Sequence, residues 1–279
     1  MALSMPPIPE AADGMADKLV DAFMGTTNAA YDDYLDAAGG WGPINAEEGF
    51  QVQRLVIDKT CKKMGLDHPL GWKIGGCKKA QQEALGLSEC WCGAVFRVVQ
   101  SPAKTSSDNV RGIECEFVLK LKHDLPSRGE QGDVYSMEQV TDAVGAIIPA
   151  YEVVRPRVPE QTLFKTTPAP FVIADYGGCG EIVLGEASPP SPTTPLFDTP
   201  VPVSLSVNNV TVASGTSAEV LGNPLTALHW LVNFLSPRGV SLYGGQVIST
   251  GTTTGMTPVA AGDKADGSFD GFGKVEIQF

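Results

Sequence analysis

The stretch Gly112-Ile113-Glu114-Cys115-Glu116-Phe117-Val118-Leu119-Lys120, closed by His123-Asp124-Leu125-Pro126, decides how this chain is read. Its apolar residues alternate as a strand's do. Ile113, Cys115, Phe117 and Leu119 therefore take one face, and Glu114, Glu116 and Val118 the other. Side chains two apart on a strand point the same way, so the two carboxylates lie within reach of one ion and make half of an oxygen-ligand metal site. For an isolated Glu-x-Glu, a solvent-facing strand with acidic outer positions is the simpler reading. A second stretch bears on the choice: Ile147-Ile148-Pro149-Ala150-Tyr151-Glu152-Val153-Val154 is apolar with a single acid in it. A buried carboxylate is costly unless a cation or strong donors meet it, so Glu152 requires a partner. Three convergent glutamates suit Mg²⁺ or Mn²⁺, with waters or a chelating substrate completing an octahedron. Pairing of Glu152 with Arg155 or Arg157 is the other reading.

The totals bound the answer. The 279 residues allow one large domain or a domain with a smaller appendage, and 43% hydrophobic with 19% charged residues is ordinary for a globular protein. No apolar run approaches the ~20 residues of a membrane helix, and Met1 to Glu10 lack the basic start and apolar core of a secretory signal. A cytoplasmic location is expected. The formal charge of −12 argues against nucleic-acid and anionic-membrane partners. Six cysteines (Cys61, Cys77, Cys90, Cys92, Cys115, Cys179) show no zinc spacing and read as reduced thiols, with Cys90-Trp91-Cys92 taken as packing rather than redox chemistry. The three histidines stand in no recognisable hydrolase or zinc motif, and no phosphate-binding glycine loop follows a strand.

Along the chain, Met15, Leu19, Val20 and Phe23 recur at helical spacing up to Gly25, and residues 26 to 43 read as loop. Asn45 caps a second helix, with Glu48 as its capping-box partner and Gly65 beyond its end. These helices form an expected amino-terminal cap over 1–69, leaving 70–279 as the main domain. Leu70 to Gly76 reads as a short strand carrying Lys73, and Gln81 to Leu85 as a helical turn. Residues 94–99 read as one strand and 136–144 as a helix. Phe171 to Asp175 reads as a strand running into Tyr176-Gly177-Gly178. Ser188 to Pro202 is a surface excursion rich in Pro, Ser and Thr. A hairpin turns at Asn208-Asn209, a helix begins at Pro224 behind Asn223, and a strand at Gln246 to Thr250 is followed by the Gly251 to Gly255 loop, Gly262-Asp263 and a last strand from Lys274 to Phe279. A helical amino end, many short strands and few βαβ alternations predict an α+β fold with a rolled, mixed sheet.

Several stretches fall together in the order of one family. They are Asn45-Ala46-Glu47 with Gln53, Gly71-Trp72-Lys73-Ile74-Gly75, Gln81-Gln82 with Leu85-Gly86, and Ile113-Glu114-Cys115-Glu116 with Asp124-Leu125-Pro126. Pro149 to Val154 with Arg157, Ala174-Asp175, Gly222-Asn223-Pro224-Leu225 with Trp230-Leu231, and Gly245 to Asp263 continue the series. The chain resembles the 2-keto-4-pentenoate hydratase and 4-oxalocrotonate decarboxylase branch of the fumarylacetoacetate hydrolase superfamily, from about Asn45 onward. The resemblance implies that family's rolled β fold, homo-oligomeric assembly, and Mg²⁺ or Mn²⁺ at Glu114, Glu116 and Glu152. It also implies a small 2-oxo acid as substrate, chelated through its carboxylate and keto oxygens. Lys73 matches the active-site lysine, and Thr250, Gly251 and Thr252 fall at the substrate-binding loop, with Arg157 and Asp175 as further substrate contacts. The chain departs from the pattern at Val98, where relatives carry an acid, at Tyr176, where Asn is common, and at Pro156. Tyr176 is accordingly read as a catalytic group peculiar to this chain. The implied activity is a hydratase-type lyase acting on a 2-oxo or 2-hydroxy-dienoic acid. A decarboxylase of a vinylogous 2-oxo-diacid, a C–C hydrolase of an acylpyruvate and a catalytically degenerate member are the alternatives.

Overall fold

A computed structural model describes residues 8–25, 27–159, 167–190 and 197–279. Residues 191–196 of the expected Pro/Ser/Thr-rich excursion, and the first seven residues of the stretch searched for a secretory signal, lie outside those described. In chain order the helices are α1 (Ala12–Gly25), α2 (Tyr31–Ala37), α3 (Ala46–Met64), α4 (Lys79–Ala84), α5 (Met137–Asp142), α6 (Ala169–Ala174) and α7 (Pro224–Leu235). The strands are β1 (Gly71–Gly75), β2 (Trp91–Val95), β3 (Val98–Gln100), β4 (Ala103–Lys104), β5 (Gly112–Leu121), β6 (Val144–Val154), β7 (Cys179–Leu184), β8 (Pro202–Val207), β9 (Val210–Thr216), β10 (Val247–Thr252), β11 (Lys264–Phe269) and β12 (Gly273–Gln278).

β5 and β6 are the two long strands, and they pair antiparallel at the centre of a seven-stranded sheet ordered β2-β1-β10-β5-β6-β7-β3. A second sheet, β4-β12-β11-β8-β9, covers one face of it. The face it covers is the one the alternation assigned to Cys115 and Phe117. The Phe117 ring meets Phe269 of β11 at 5.0 Å, and a side chain at Gly267 would stand 2.9 Å from the Tyr151 hydroxyl and 3.2 Å from Cys115 Sγ. The other face of β5 is also buried, with Glu116 and Val118 both at 0% exposure. The solvent-facing reading of Glu-x-Glu therefore does not hold.

α3 joins the helices to the sheet. Asn45 accepts from the Glu48 amide at its start, Gly65 closes it in the left-handed conformation, and its buried stripe of Phe50, Val52, Val56 and Ile57 enters one continuous core with α1 and the sheet. β2 is an edge strand, and the edge is closed by a side chain. Gln53, at 0% exposure, donates from Nε2 to the carbonyls of Cys92 (3.0 Å) and Ile173 (2.5 Å), and its Oε1 accepts from the Ala94 amide at 3.2 Å.

Four expectations need correction. Phe171 to Asp175 is not a strand but the end of α6: Pro168 and Pro170 start a helix there, and the unbroken buried run Phe171 to Ala174 shows no helical period. The supposed loop 26–43 contains α2. The single strand over 94–99 is two strands in different parts of the sheet, β2 beside β1 and β3 beside β7, broken at Phe96-Arg97. β11 has no sequence counterpart above, because Asp266-Gly267 and Ser268 interrupt its apolar alternation. The hairpin at Asn208-Asn209 forms with both residues at positive φ, and the helices behind Asn45, Ser136 and Asn223 start where their caps place them. No helix among the described residues is long and apolar enough to cross a membrane.

Replacing Gln53 by Leu keeps the volume but leaves the Ala94 amide and the two carbonyls without their partner. Denaturant unfolding should then show a loss of about 3 kcal/mol; a variant as stable as the parent would mean that this edge does not depend on the side chain.

Candidate metal centre

The register of the central pair builds the site. Glu114 lies directly opposite Glu152, and Glu116 opposite Ala150, so all three carboxylates leave the same face of adjacent strands. The small Ala150 leaves room beside Glu116. One carboxylate oxygen from each of Glu114, Glu116 and Glu152 lies within 4.8 Å of the others. Glu116 and Glu152 are buried at 0% and 1% exposure, while Glu114 is surrounded by protein but keeps some surface open at the rim. Burial and the neighbouring Glu152 push the Glu114 carboxyl up to about 7, and burial with both other glutamates pushes Glu116 well above the usual carboxylate range.

The surrounding strands supply what little compensation exists. Lys73 of β1 is in register with Ser249 of β10, and Ser249 with Val118 of β5, which puts all of them on the glutamate face. Lys73 Nζ stands 3.1 Å from Glu152 Oε1, at ion-pair distance. Its burial favours the neutral amine, but Glu152, then Cys179, Glu114 and Glu116, outweigh that and hold the ammonium charged. Lys73 is thus buried beside the acids rather than reaching the surface. Ser249 Oγ donates to Glu116 Oε2 at 2.6 Å, and the Gly251 amide donates to the same oxygen at 3.0 Å. Gly251 has φ 118°, a conformation that glycine adopts freely, and a Cβ there would meet Cys77 Sγ at 2.6 Å. Among the described residues, Glu116 Oε1 and Glu152 Oε2 are buried with no hydrogen-bond donor, and Glu152 Oε1 has the Lys73 ammonium alone.

The remaining expected site residues divide. Thr250 is spent on the fold, its hydroxyl donating to the Phe117 carbonyl at 2.8 Å, whereas Thr252 Oγ1 is buried without a partner among the described residues. Arg157 and Asp175 bind each other. The Arg157 Nε donates to Asp175 Oδ1, its own amide to Oδ2 at 2.8 Å, and its other nitrogens to the carbonyls of Arg155, Cys179 and Asp175. A guanidinium occupied in this way is a fixture of the core rather than a clamp for a substrate. Tyr176 also differs from its expected role. It has 0% exposure, its hydroxyl shares a 2.5 Å hydrogen bond with Thr60 of α3, and its ring packs on Phe23 and Phe96, so it anchors the glycine turn to the helices. The alternative partners proposed for Glu152 are likewise engaged elsewhere: Arg155 bonds the carbonyls of Asp108 and Ser106, and Arg157 holds Asp175. Ser249 is the site residue the sequence reading missed. Its only signal was a hydroxyl in the middle of the buried run Val247 to Thr250.

A sequence profile of the fumarylacetoacetate (FAA) hydrolase C-terminal family matches residues 97–279, which include all three glutamates. The chain belongs to the fumarylacetoacetate hydrolase family. This family member is 30% identical over 243 residues to the 2-hydroxyhexa-2,4-dienoate hydratase of Comamonas testosteroni, covering 85% of the chain and 87% of that protein. It is 29% identical over 242 residues to the 2-keto-4-pentenoate hydratase of Paraburkholderia xenovorans, at 85% and 84% coverage. Among solved structures it resembles 4-oxalocrotonate decarboxylase from Pseudomonas putida, complexed with magnesium and adipate. That match has TM-score 0.81 at 22% identity over 98% of this chain and 99% of that one. The rolled α+β fold of the family is therefore shared from end to end, and Lys73 enters the site from ahead of the profile match.

Asp175→Asn removes the charge that Arg157 is buried against. The unfolding free energy should fall by about 3 kcal/mol or more. A variant of parental stability with an altered KM would instead make the pair a substrate contact.

Proposed function

We propose that the chain is a divalent-metal-dependent lyase of the hydratase type, acting on a 2-oxo or 2-hydroxy-dienoic acid. The carrying observation is the convergence of three glutamates on one face, with two buried oxygens lacking donors and a single lysine as counter-charge on a third. An all-carboxylate set of this kind fits Mg²⁺ or Mn²⁺ and would not suit a soft metal. The names of the hydratase relatives, at about 30% identity over most of both chains, support the reaction class.

Glu114, Glu116 and Glu152 would hold the ion, which when bound supplies Lewis-acid polarisation of a 2-oxo group. Ser249 Oγ and the Gly251 amide fix Glu116 by its Oε2, so that Oε1 is the oxygen turned outward. Lys73 Nζ, beside Glu152, carries more hydrogens than Glu152 accepts. As an ammonium it orients the acid's carboxylate and donates a proton to the carbon framework next to the oxo group. Thr252 Oγ1 offers a further buried donor to the bound acid. Six buried free cysteines agree with a cytoplasmic setting, and the exposed Val210 and Val212 of the edge strand β9 suit a homo-oligomer.

Incubation with a 2-hydroxy-dienoic acid and Mg²⁺ should yield a hydroxylated 2-oxo acid. Carbon dioxide release would make the enzyme a decarboxylase, and two acid fragments a hydrolase. Lys73→Ala should lower kcat by roughly 10²-fold or more while Mn²⁺ still binds; full turnover in that variant would remove Lys73 from the chemistry.

A further inference from the structure

The space around Lys73 is cleared by absent side chains, and one large ring fills part of it. Gly75 follows Lys73 by two on β1 and shares its face; Gly93 is its cross-strand partner on β2. Trp91, paired with Gly75, folds across that bare position. A Cβ on Gly75 would lie 2.6 Å from Trp91 Nε1, and a Cβ on Gly177 would lie 2.7 Å from Lys73 Cε, 3.2 Å from Lys73 Nζ and 3.3 Å from Trp91 Cδ1. The pyrrole edge of the indole thus borders the lysine end. Trp91 is 93% buried by its 7% exposure, yet its Nε1–H has no acceptor among the described residues. A buried indole N–H costs stability unless something bonds it.

The same residue lines a cavity of about 550 Å³, a size that holds a small organic ligand. Phe50, Leu85, Leu87, Ile173 and Phe234 make its apolar wall. Among the described lining residues Arg238 is the one cation; it is paired with Glu47 at 2.8 Å, donates to the Phe234 carbonyl and lies over the Phe234 ring at 3.9 Å. Glu89 adds a second acid, held at 2.9 Å by the Trp230 indole. A carboxylate entering here would meet two acids and no free cation, whereas an uncharged ring or alkyl chain would meet apolar surface.

We infer that Trp91 positions the substrate and sets its class: its Nε1–H donates to an oxygen of the 2-oxo acid, and the cavity beyond the ring takes an uncharged apolar tail. This rests on the 2-oxo acid reading of the metal centre. It predicts substrates with one carboxylate, at the oxo end, rather than oxo-diacids.

The test is calorimetric binding of pyruvate, phenylpyruvate and 2-oxoglutarate to the Mg²⁺-loaded full chain and to the variants Leu87→Trp and Trp91→Phe. Phenylpyruvate should bind at least about tenfold more tightly than pyruvate, since burying a phenyl ring is worth that much, and 2-oxoglutarate no more tightly than pyruvate. Leu87→Trp, which fills the cavity, should collapse the phenylpyruvate-to-pyruvate ratio toward one. Trp91→Phe should weaken both acids about tenfold with the ratio kept and the thermal midpoint near that of the parent. A parental ratio near one, a preference for 2-oxoglutarate, or pyruvate affinity unaffected by Trp91→Phe would overturn the inference. Failure of all three acids to bind a chain that does bind Mg²⁺ would instead overturn the 2-oxo acid reading beneath it.

Discussion

Electrostatic repulsion among three buried carboxylates is the constraint from which the rest of this structure follows. Two unit charges at the separations seen here repel by about 3 kcal/mol per pair at an effective dielectric near 20, and burial adds a desolvation cost for each. One lysine cannot cancel three glutamates. The protein nevertheless commits its two longest strands to this arrangement, with Glu114 placed across from Glu152 by the pairing register. Such a placement is stable when a small dication completes it, and the donors given to Glu116 hold one of its oxygens while leaving the other bare. The upward shifts of Glu114 and Glu116 are the same conflict expressed in proton affinity.

The scaffold is arranged to maintain that conflict. The five-stranded sheet seals one face of β5 and β6, so the polar set can only project to the other. On that side, Gln53 closes the edge of β2, and Tyr176 and the Arg157–Asp175 pair fasten the glycine turn against which Lys73 rests. Polar residues that resemble site groups in the sequence are here the fittings that position the site. Their hydrogen-bonding capacity is consumed by one another, by Thr60 and by backbone groups, which distinguishes them from Glu116, Glu152, Thr252 and Trp91, whose capacity is left over among the described residues.

Much of this was legible in the chain. Glu-x-Glu on an alternating strand and a lone acid in the apolar run 147–154 pointed to the candidate metal site, because a period of two fixes which side chains share a face. The caps Asn45 and Asn223 located their helices. What remained hidden depends on tertiary partners. Nothing in Ala174-Asp175-Tyr176 tells that the tyrosine turns to Thr60 or that Asp175 is bound by Arg157 eighteen residues away. α6 was mistaken for a strand because a fully buried short run has no period to read. Ser249 and Trp91 gained their places through pairing with β1 and β5, contacts between segments far apart in sequence.

The most direct measurement of the central claim is Mn²⁺ titration of the full chain by calorimetry, with and without oxalate, in the parent and in Glu114→Gln. The structure predicts one ion per chain, bound more tightly when oxalate adds two oxygens, and lost or greatly weakened when one carboxylate becomes an amide. A parent chain that binds neither Mn²⁺ nor Mg²⁺ would contradict the account, since the three glutamates would then be buried together for some reason other than a metal.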